Sequence, residues 1–521
     1  MKLLYDVGSV TEQGAEQGAS VSVSRRDFLK ILAAVSATGI SGTFASSAST
    51  FAAELKNTAA AKRGSYTVRP WCGDNFALGH RLRDGELPQA PQKAERTVDF
   101  VIVGGGMAGL CTAHHLKDQD FLLLEQYEQT GGTSSGGSYR GIDYSRGAVC
   151  TGSDGALKQQ LFDELNIKPV VITAEETEWH SAGQWYKSLT GNDKFHKEFN
   201  RLLSEIKAIK SKSDTNLGEV TFAGFLSGYD RELVGLINNI SRSFFCAGPD
   251  YVSATAGFFM LQALTSDSYV FDGGNSGIAR ALRGSVDTAA TGRIHTDCFV
   301  WSVKPTDKGA AVVYGDSSGN MHRVDCKHVV VTTPPLVAVR ILPELPEKVK
   351  AAWSNLEYGA FVVANFCMPK KVLQCPYQSF ADDAYPFSQM VLAEAPYQAA
   401  GKYKPDMGSV LTVYHPFLHG SVGRRQLLNL EREQFASSLV AQVTSLFEPL
   451  QNNLDQIEIT RWGHAVMVPR PGLSSILNKA NQYTTPWMTF AHSSAGGGQS
   501  LEGALSAARN AADTCLKIAT T

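Results

Sequence analysis

One short segment near residue 100 constrains the fold more than any other part of this sequence. Residues 98–103 form an apolar, β-branched run that is typical of a buried parallel strand, and a glycine-rich stretch, 104–109, follows at once. A helical pattern over 110–116 leads to a second apolar run, 121–124, which ends at an acidic residue. This order of strand, glycine turn, helix and strand predicts a complete βαβ unit.

The glycines of this unit have the spacing G-x-G-x-x-G, and each has a physical role in binding a dinucleotide. The first allows a tight turn, the second lets the backbone approach a pyrophosphate, and the third lets helix and strand pack closely. The helix N-terminus offers free N–H groups and the positive end of its dipole to the phosphates. The acidic residue, about 20 positions after the first glycine, is placed to accept hydrogen bonds from ribose hydroxyls. The sequence therefore predicts a dinucleotide site made of Gly104, Gly106, Met107, Ala108, Gly109 and Glu125.

Two further segments favour FAD over NAD as the dinucleotide. Residues 129–133 read QTGGT, and residues 496–504 read GGGQSLEGA ahead of a helical pattern. Both resemble the flavin-containing amine oxidase family, although Thr133 stands where the family commonly has arginine. In that family the closing helix points its N-terminus at the flavin pyrimidine ring, where it stabilises the negative charge of the reduced flavin. The resemblance adds Gly131, Gly132, Thr133, Ser500, Leu501 and Ala504 to the predicted FAD site.

The middle of the chain resembles the same family in the same order, through residues 273–278, 294–303 and 329–335. The resemblance implies that the backbone of Val300 holds the adenine and that His492 lies near the FAD. It also implies an α/β protein of the amine oxidase-like two-domain fold, with a Rossmann-type FAD-binding domain assembled from discontinuous segments and an α+β substrate domain. We expect a signal peptide at 1–53, an extended N-terminal arm at 54–95, the FAD-binding domain at 96–155, 270–340 and 460–521, and the substrate-binding domain at 156–269 and 341–459.

The region expected to surround the substrate departs from the family's usual pattern. When segment 356–364 is aligned with the family, Val363 takes the place of a lysine that is associated with oxygen use in several members. Ala465 and Ser500 take the places of the two aromatic residues that cage the amine. The resemblance therefore implies weak oxygen use and electron transfer to a carrier such as a cytochrome or a quinone.

Trp462 and His464 are the catalytic candidates. They lie in a segment that, together with 426–447, loosely resembles the exported spermidine-dehydrogenase-like branch of the family. An aromatic ring can pack against a cation, and an imidazole can orient or deprotonate one. The alternative is that Trp462 belongs to the core and that His464 is a hydrogen-bonded structural histidine, and the sequence leaves both interpretations open.

The N-terminal segment has the features of an export signal. An arginine pair, Arg25 and Arg26, precedes Phe-Leu-Lys and a weakly apolar run over 31–44. This pattern closely resembles the twin-arginine signal, which implies export of the folded protein to the periplasm by the twin-arginine machinery. The apolar run is shorter than the ~20 residues that a bilayer span needs. We therefore expect no stable membrane span.

Charge and cysteine content exclude several other functions. The chain has 48 Lys and Arg against 50 Asp and Glu, and a net charge of −2 gives no general attraction to nucleic acid. The nine cysteines are scattered without a C-x-x-C pair, and no His/Cys cluster has zinc-like spacing. We therefore expect no nucleic-acid partner, no metal and no covalent haem.

Three functional hypotheses follow. The leading one is an amine dehydrogenase or oxidase, which oxidises the C–N bond of a small-molecule substrate to an imine by hydride transfer to flavin N5. The second is a desaturase-like FAD oxidoreductase acting on a non-amine substrate, which the missing cage favours. The third is an FAD-bound partner protein without turnover. Anaerobic reduction of the flavin by candidate amines separates the first from the other two.

Overall fold

The computed structural model describes residues 66–520, apart from 154, 188–190, 192, 211–215, 290–291, 482, 484 and 495–498. The predicted signal peptide, 1–53, lies outside these residues, and so do the first part of the predicted arm and the glycines of the closing loop. None of the described helices combines the length and the apolar character that crossing a membrane requires.

The strands and helices are numbered along the chain. The strands are β1 (Thr67–Val68), β2 (Cys72–Gly73), β3 (Arg96–Val103), β4 (Phe121–Leu124), β5 (Gly136–Tyr139), β6 (Ile142–Ser145), β7 (Cys150–Gly152), β8 (Val170–Ile172), β9 (Thr177–Ser181), β10 (Gln184–Lys187), β11 (Ser268–Val270), β12 (Ile294–His295), β13 (Phe299–Thr306), β14 (Gly309–Gly315), β15 (Met321–Val331), β16 (Tyr358–Met368), β17 (Gln378–Ala381), β18 (Gln389–Leu392), β19 (Ser409–His419), β20 (Gln456–Met467) and β21 (Met488–Phe490). The α-helices are α1 (Phe76–Arg83), α2 (Met107–His115), α3 (Ala156–Glu164), α4 (Lys194–Lys210), α5 (Arg231–Phe245), α6 (Ala254–Leu264), α7 (Ser276–Ala289), α8 (Pro335–Ile341), α9 (Glu347–Ser354), α10 (Ala395–Ala399), α11 (Gly420–Leu428), α12 (Arg432–Leu446), α13 (Leu473–Asn481) and α14 (Leu501–Ala519).

The predicted βαβ unit lies at the centre of the smaller of the two large sheets. Strand β3, helix α2 and strand β4 follow one another as predicted, and β3 runs parallel to β4 with Val103 opposite Leu124. The sheet has the order β12-β4-β3-β15-β14-β13, and β21 also pairs with β15. All of β4 is buried, because one face of the sheet packs on α2, α7 and α14 and the other packs on α8 and neighbouring residues. A strand covered on both faces has a continuous apolar sequence, and this arrangement confirms the predicted Rossmann-type fold class.

The larger sheet has nine strands in the order β1-β20-β16-β19-β18-β17-β9-β10, with β2 also paired to β20. Its central strand, β16, is buried over its whole length. Alternate side chains of β16 enter two different apolar clusters, one with residues of α11 and α12 and the other with Trp462 and Tyr414. Because side chains alternate along a strand, every second residue of β16 lies on the side of the sheet that carries Trp462.

The N-terminal segment differs from the extended arm that was predicted. Strands β1 and β2 pair in parallel with β20, and residues 76–83 form helix α1, which Asn75 caps by accepting a hydrogen bond from Ala77 N–H. Pro70, Pro88 and Pro91 are typical of extended chain and favoured an arm, and two-residue strands have no periodicity that a sequence can reveal. One expected boundary also differs, since position 460 falls inside β20. The division into two domains otherwise stays a prediction.

The closing helix α14 buries a face slightly different from the predicted one. The helical spacing predicts a stripe of Leu501, Ala504, Leu505, Ala508, Ala512 and Leu516. The first five are buried, but Leu516 is 37% exposed, and Ala511 and Cys515 are buried in its place. The helix packs closely on α2, so the partner helix decides where the stripe ends.

Candidate active site

A cavity of about 900 Å³ is lined by residues from the ends of both large sheets. The smaller sheet contributes the glycine motif and Glu125, and the larger sheet contributes Trp462 and His464. Sites for cofactors and small molecules commonly have volumes of roughly 300–1,000 Å³. Every residue of the predicted site lines this cavity except Gly109. The structure therefore brings together predicted site residues that are separated by up to 400 positions in the sequence, from Gly104 to Ala504.

The glycine motif leaves space for a ligand where its backbone faces the cavity. Gly104 has a φ of +104°, which favours glycine, and a Cβ on Gly109 would lie 1.9 Å from the carbonyl oxygen of Gly104. A Cβ on Gly106 would meet no protein atom within 4 Å. Gly106 caps helix α2 and lines the cavity, so a side chain there would occupy the space in front of the helix N-terminus. These positions fit the close approach of a pyrophosphate.

Glu125 is held in place by the backbone around it. Its Oε2 accepts a hydrogen bond from Gly105 N–H at 2.6 Å, and its Oε1 accepts one from Tyr127 N–H at 2.9 Å. Burial raises the pKa of Glu125 to about 7, against the opposing effect of these N–H donors. Each carboxylate oxygen keeps a further lone pair, which a ribose hydroxyl can use.

The adenine position predicted for Val300 lies next to Glu125. The N–H of Cys298 donates to the carbonyl oxygen of Glu125 at 2.8 Å, which joins the start of β13 to the end of β4. Strand β13 is the edge strand of its sheet, and edge strands present unpaired N–H and C=O groups. Val300 lines the cavity at this edge, so its backbone can serve a base as the resemblance implies.

The second glycine motif and the closing helix form two further parts of the wall. Gly131 and Gly132 both have positive φ values, +115° and +56°, and Thr133 follows them in a short 3₁₀ helix. At the other end of the chain, Ser500 caps α14 by accepting a hydrogen bond from Gly503 N–H at 3.0 Å. The closing helix thus begins at the cavity wall with its N-terminus in an ordered cap.

His492 is a buried residue of the cavity wall and is uncharged. Its Nδ1 accepts a hydrogen bond from Ser494 N–H at 3.1 Å, and burial lowers the pKa of His492 to about 4. Polar atoms on other wall residues, among them Thr333 Oγ1 and His80 Nε2, are buried without a hydrogen-bond partner in the described part of the chain. Because an unpaired buried polar atom is costly, these atoms fit a site that a polar ligand completes.

The two catalytic candidates have different surroundings. Trp462 is fixed, because its Nε1–H donates to the carbonyl oxygen of Arg146 at 2.7 Å. His464 has no hydrogen bond to any described residue and packs edge-on against Tyr358, with ring centres 5.8 Å apart. Burial, with smaller contributions from Arg424 and His80, lowers the pKa of His464 to about 3. The alternative of a hydrogen-bonded structural histidine therefore does not describe His464, and its imidazole is neutral.

The structure adds charged residues that the sequence did not indicate. Asp74 lines the cavity and accepts hydrogen bonds from Tyr127 O–H and Gly463 N–H, both at 2.6 Å. Burial raises the pKa of Asp74. Arg424 also lines the cavity, and its guanidinium makes no hydrogen bond or ion pair with a described residue. Asp74 is 389 positions from Gly463, and no local pattern reports a contact of that kind.

Comparison with protein families now decides the class of the molecule. A family model described as flavin containing amine oxidoreductase matches residues 107–516. The chain belongs to this family. It is therefore an FAD-dependent oxidoreductase, and the enzyme class, cofactor and family predicted from the sequence are confirmed.

Solved structures of family-like proteins share the fold at low sequence identity. Cyclohexylamine oxidase from Brevibacterium oxydans IH-35A has a TM-score of 0.65 and 17% identity, covering 81% of this chain and 100% of that one. Wild-type putrescine oxidase bound to putrescine has a TM-score of 0.64 and 18% identity, covering 81% and 99%. A fatty acid isomerase from P. acnes has a TM-score of 0.58 and 13% identity, covering 80% and 98%. Comparison with curated protein sequences gives no significant match.

Of the family's lysine position and two cage positions, one lies on the cavity wall in the described part of the chain. Val363 is 2% exposed and lies in the apolar cluster behind Trp462, and Ala465 lies in the same cluster. Of the three positions, Ser500 alone is among the described residues that line the cavity. The role of position 363 toward the flavin therefore stays a prediction. Val363 shares its cluster with Trp462, which does line the cavity.

A group of possible metal ligands lies apart from the cavity wall. His114, His115 and Glu164 have ligand atoms within 4.8 Å of one another, and His114 Nε2 is 3.2 Å from Glu164 Oε2. Glu164 is 50 positions from His114, so a search for zinc-like spacing does not find it. Arg509 lies 3.4 Å from His115 Nδ1, and its charge opposes a cation there. The absence of a metal stays a prediction.

Proposed function

We propose that this oxidoreductase is an exported amine dehydrogenase, which converts the C–N bond of a small amine to an imine and passes the electrons to a carrier. The observation that carries the proposal is the position of His464. It is a neutral imidazole without a hydrogen-bond partner among the described residues, on the wall of the same cavity as the glycine motif. An amine N–H can donate to such a nitrogen, and this contact would orient the amine.

The surroundings of His464 favour an amine in its uncharged form. Burial and the charge of Arg424 lower the pKa of His464, and the same environment lowers the pKa of a bound ammonium group. A neutral amine has the lone pair that stabilises the positive charge left on the substrate as a hydride departs. Asp74 and Tyr127 line the same cavity and are hydrogen-bonded to each other, and burial raises the pKa of Asp74, which disfavours a charged carboxylate there.

The remaining parts of the wall have supporting roles. FAD, when held by Gly106, Glu125 and the closing helix, supplies the acceptor of the hydride. Trp462 gives a rigid apolar surface, because its indole N–H already donates to the backbone carbonyl oxygen of Arg146. Apolar side chains from α5 and α6, including Phe244 and Leu264, line the cavity as well and exclude water from it.

The absence of the lysine that the family associates with oxygen use supports a carrier instead of oxygen as the electron acceptor. Val363, which is buried and does not line the cavity, stands at the lysine's place in the sequence, and no lysine lines the cavity in the described part of the chain. The twin-arginine pattern at Arg25 and Arg26 supports a periplasmic location, where cytochromes and quinones are accessible. Reduced enzyme should reoxidise slowly in aerated buffer and quickly with a cytochrome or an artificial acceptor.

A second function is a desaturase-like oxidation of a non-amine substrate. Ala465 and Ser500, in the places of the two cage aromatics, favour it, and a fatty acid isomerase shares the fold. Anaerobic mixing with a panel of amines, amino acids and polyamines, and separately with isoprenoids and phenols, distinguishes the two. Bleaching by an amine supports our proposal, and bleaching by only the second panel replaces it. If neither panel reduces the flavin, an FAD-bound partner without turnover becomes the better description.

A further inference from the structure

Lys158 is a fully buried lysine outside the cavity wall. It lies on α3 and is 1% exposed. Its Nζ is 2.6 Å from Glu502 Oε1 and 3.3 Å from Thr151 Oγ1, and it also donates to the carbonyl oxygen of Gly152. Burying an ammonium group is costly unless it is paired and hydrogen-bonded. A lysine in such a position therefore has a strong electrostatic interaction with its partners.

The hydrogen bonds show that Lys158 and Glu502 form an ion pair. An ammonium group has three N–H donors, and three acceptors surround this one. Thr151 donates its own hydroxyl hydrogen to Glu502 Oε1 at 2.8 Å, so its lone pairs are free to accept from Lys158. Burial raises the pKa of Glu502, but the hydrogen bonds from Lys158, from its own backbone and from Thr151 outweigh this effect and lower it overall.

The ion pair lies at the N-terminus of the closing helix. Glu502 is the second residue of α14, and it lines the cavity together with Thr151 and Gly152. Lys158 lies behind these three residues. A helix N-terminus favours negative charge in front of it, but an uncompensated carboxylate in its first turn opposes that charge. Lys158 removes this opposition by neutralising Glu502 from the side away from the cavity.

We infer that Lys158 is a positioning residue that sets the reduction potential of the bound FAD through Glu502. In the family, the N-terminus of this helix points at the flavin pyrimidine, where negative charge accumulates on reduction. With Lys158 in place, the helix presents a net positive end to that charge. The inference rests on the family's cofactor and goes beyond the proposed substrate and electron acceptor, since it concerns the potential and needs no substrate to test it.

The test is a redox titration of the bound FAD in three variants. Lys158→Met leaves Glu502 uncompensated, and it should make reduction at least tenfold less favourable, which is about 30 mV more negative for a two-electron couple. Glu502→Gln keeps Lys158 and an acceptor oxygen, and it should shift the potential in the positive direction. The double variant, Lys158→Met with Glu502→Gln, should return toward the wild-type value. Lys402→Met, an exposed lysine paired with Asp272, is the charge control and should leave the potential unchanged.

A purely structural role for the pair gives a different result. In that case thermal stability falls in the variants while the equilibrium constant for flavin reduction stays within a factor of two of wild type, which is about 9 mV in the potential, and the inference is overturned. Where Lys158→Met does not fold or does not retain FAD, the milder Glu502→Gln variant decides. An unchanged or more negative potential in Glu502→Gln contradicts the inference, and a positive shift supports it.

Discussion

Glu125, beside the glycine motif, and Glu502, at the start of the closing helix, both line the cavity, but their hydrogen-bond partners and their pKa shifts differ. Glu125 is buried and held by backbone N–H groups from its own βαβ unit, and its pKa is raised to about 7. Glu502 is 45% exposed at the wall and is paired with Lys158, and its pKa is lowered. Glu125 is thus partly protonated at physiological pH, whereas Glu502 is ionised. At the glycine motif the carboxylate is thus positioned by backbone geometry, and at the start of the closing helix it is held by side-chain charge.

The largest effect is expected on FAD binding when Gly106 of the glycine motif is replaced. Gly106→Val places a side chain in the space in front of α2, and it should abolish FAD binding while the protein still folds, because no protein atom lies within 4 Å of the new Cβ. Gly284→Val on α7, where a Cβ is equally unobstructed, is the matched control. Absorbance of the purified protein measures bound FAD. A yellow Gly106→Val protein would show that the pyrophosphate does not approach this residue.

The next-largest effect is expected for His464, a wall residue on β20 of the larger sheet. His464→Ala removes the neutral imidazole that orients the amine, and it should slow flavin reduction by amine about 10²-fold with FAD still bound. Stopped-flow measurement under anaerobic conditions gives the rate. His322→Gln, a histidine outside the cavity wall, is the control. Equal rates in wild type and His464→Ala would remove His464 from the site.

The pH dependence of stability compares the two carboxylates directly. The pKa of Glu125 is raised in the folded state, so its contribution is fully present below about pH 4.5 and is lost as pH rises through about 7. Glu125→Gln in the FAD-free protein should abolish a pH-dependent loss of up to about 3 kcal/mol between these limits. Denaturant unfolding at several pH values measures it. A wild-type curve that is flat between pH 5 and 8 contradicts the raised pKa.

Glu502 should show the opposite dependence. Its pKa is lowered in the folded state, so its contribution is present above its unfolded pKa and is lost as pH falls through the folded value. Glu502→Gln should therefore flatten the acid side of the stability curve and leave the neutral side unchanged. The same unfolding series measures this effect. Identical curves for the Glu125 and Glu502 variants would mean that the two carboxylates do not differ as described.

The smallest effect on chemistry is expected at the family's lysine position. Val363 lies in an apolar cluster behind the wall, so Val363→Lys should change the rate of reoxidation by oxygen less than threefold. The buried amine should instead cost several kcal/mol of stability. Reoxidation in aerated buffer and thermal unfolding measure the two effects. A large rise in oxygen reactivity would show that position 363 reaches the flavin.

Local patterns were sufficient for the parts of the site that the backbone builds. The βαβ unit, its glycines and Glu125 lie within 30 positions, so strand periodicity, turn chemistry and motif spacing all report on the same contacts. The closing helix was predicted for the same reason, except that its stripe ends at Cys515 and not at Leu516. The N-terminal strands were missed because they are two residues long and form only by pairing with β20.

By itself, the sequence determined the family, the cofactor and the class of fold, because a dinucleotide site is built from consecutive residues whose conformations are set by short-range sterics. Only the tertiary structure decided which side chains share the cavity. Asp74 meets Gly463 across 389 positions, and Lys158 meets Glu502 across 344. It also placed Val363 in a buried apolar cluster with Trp462 and not among the residues that line the cavity. Such contacts depend on how sheets and helices pack over the whole chain, and charge pairing between distant residues has no periodicity or spacing that a sequence can show.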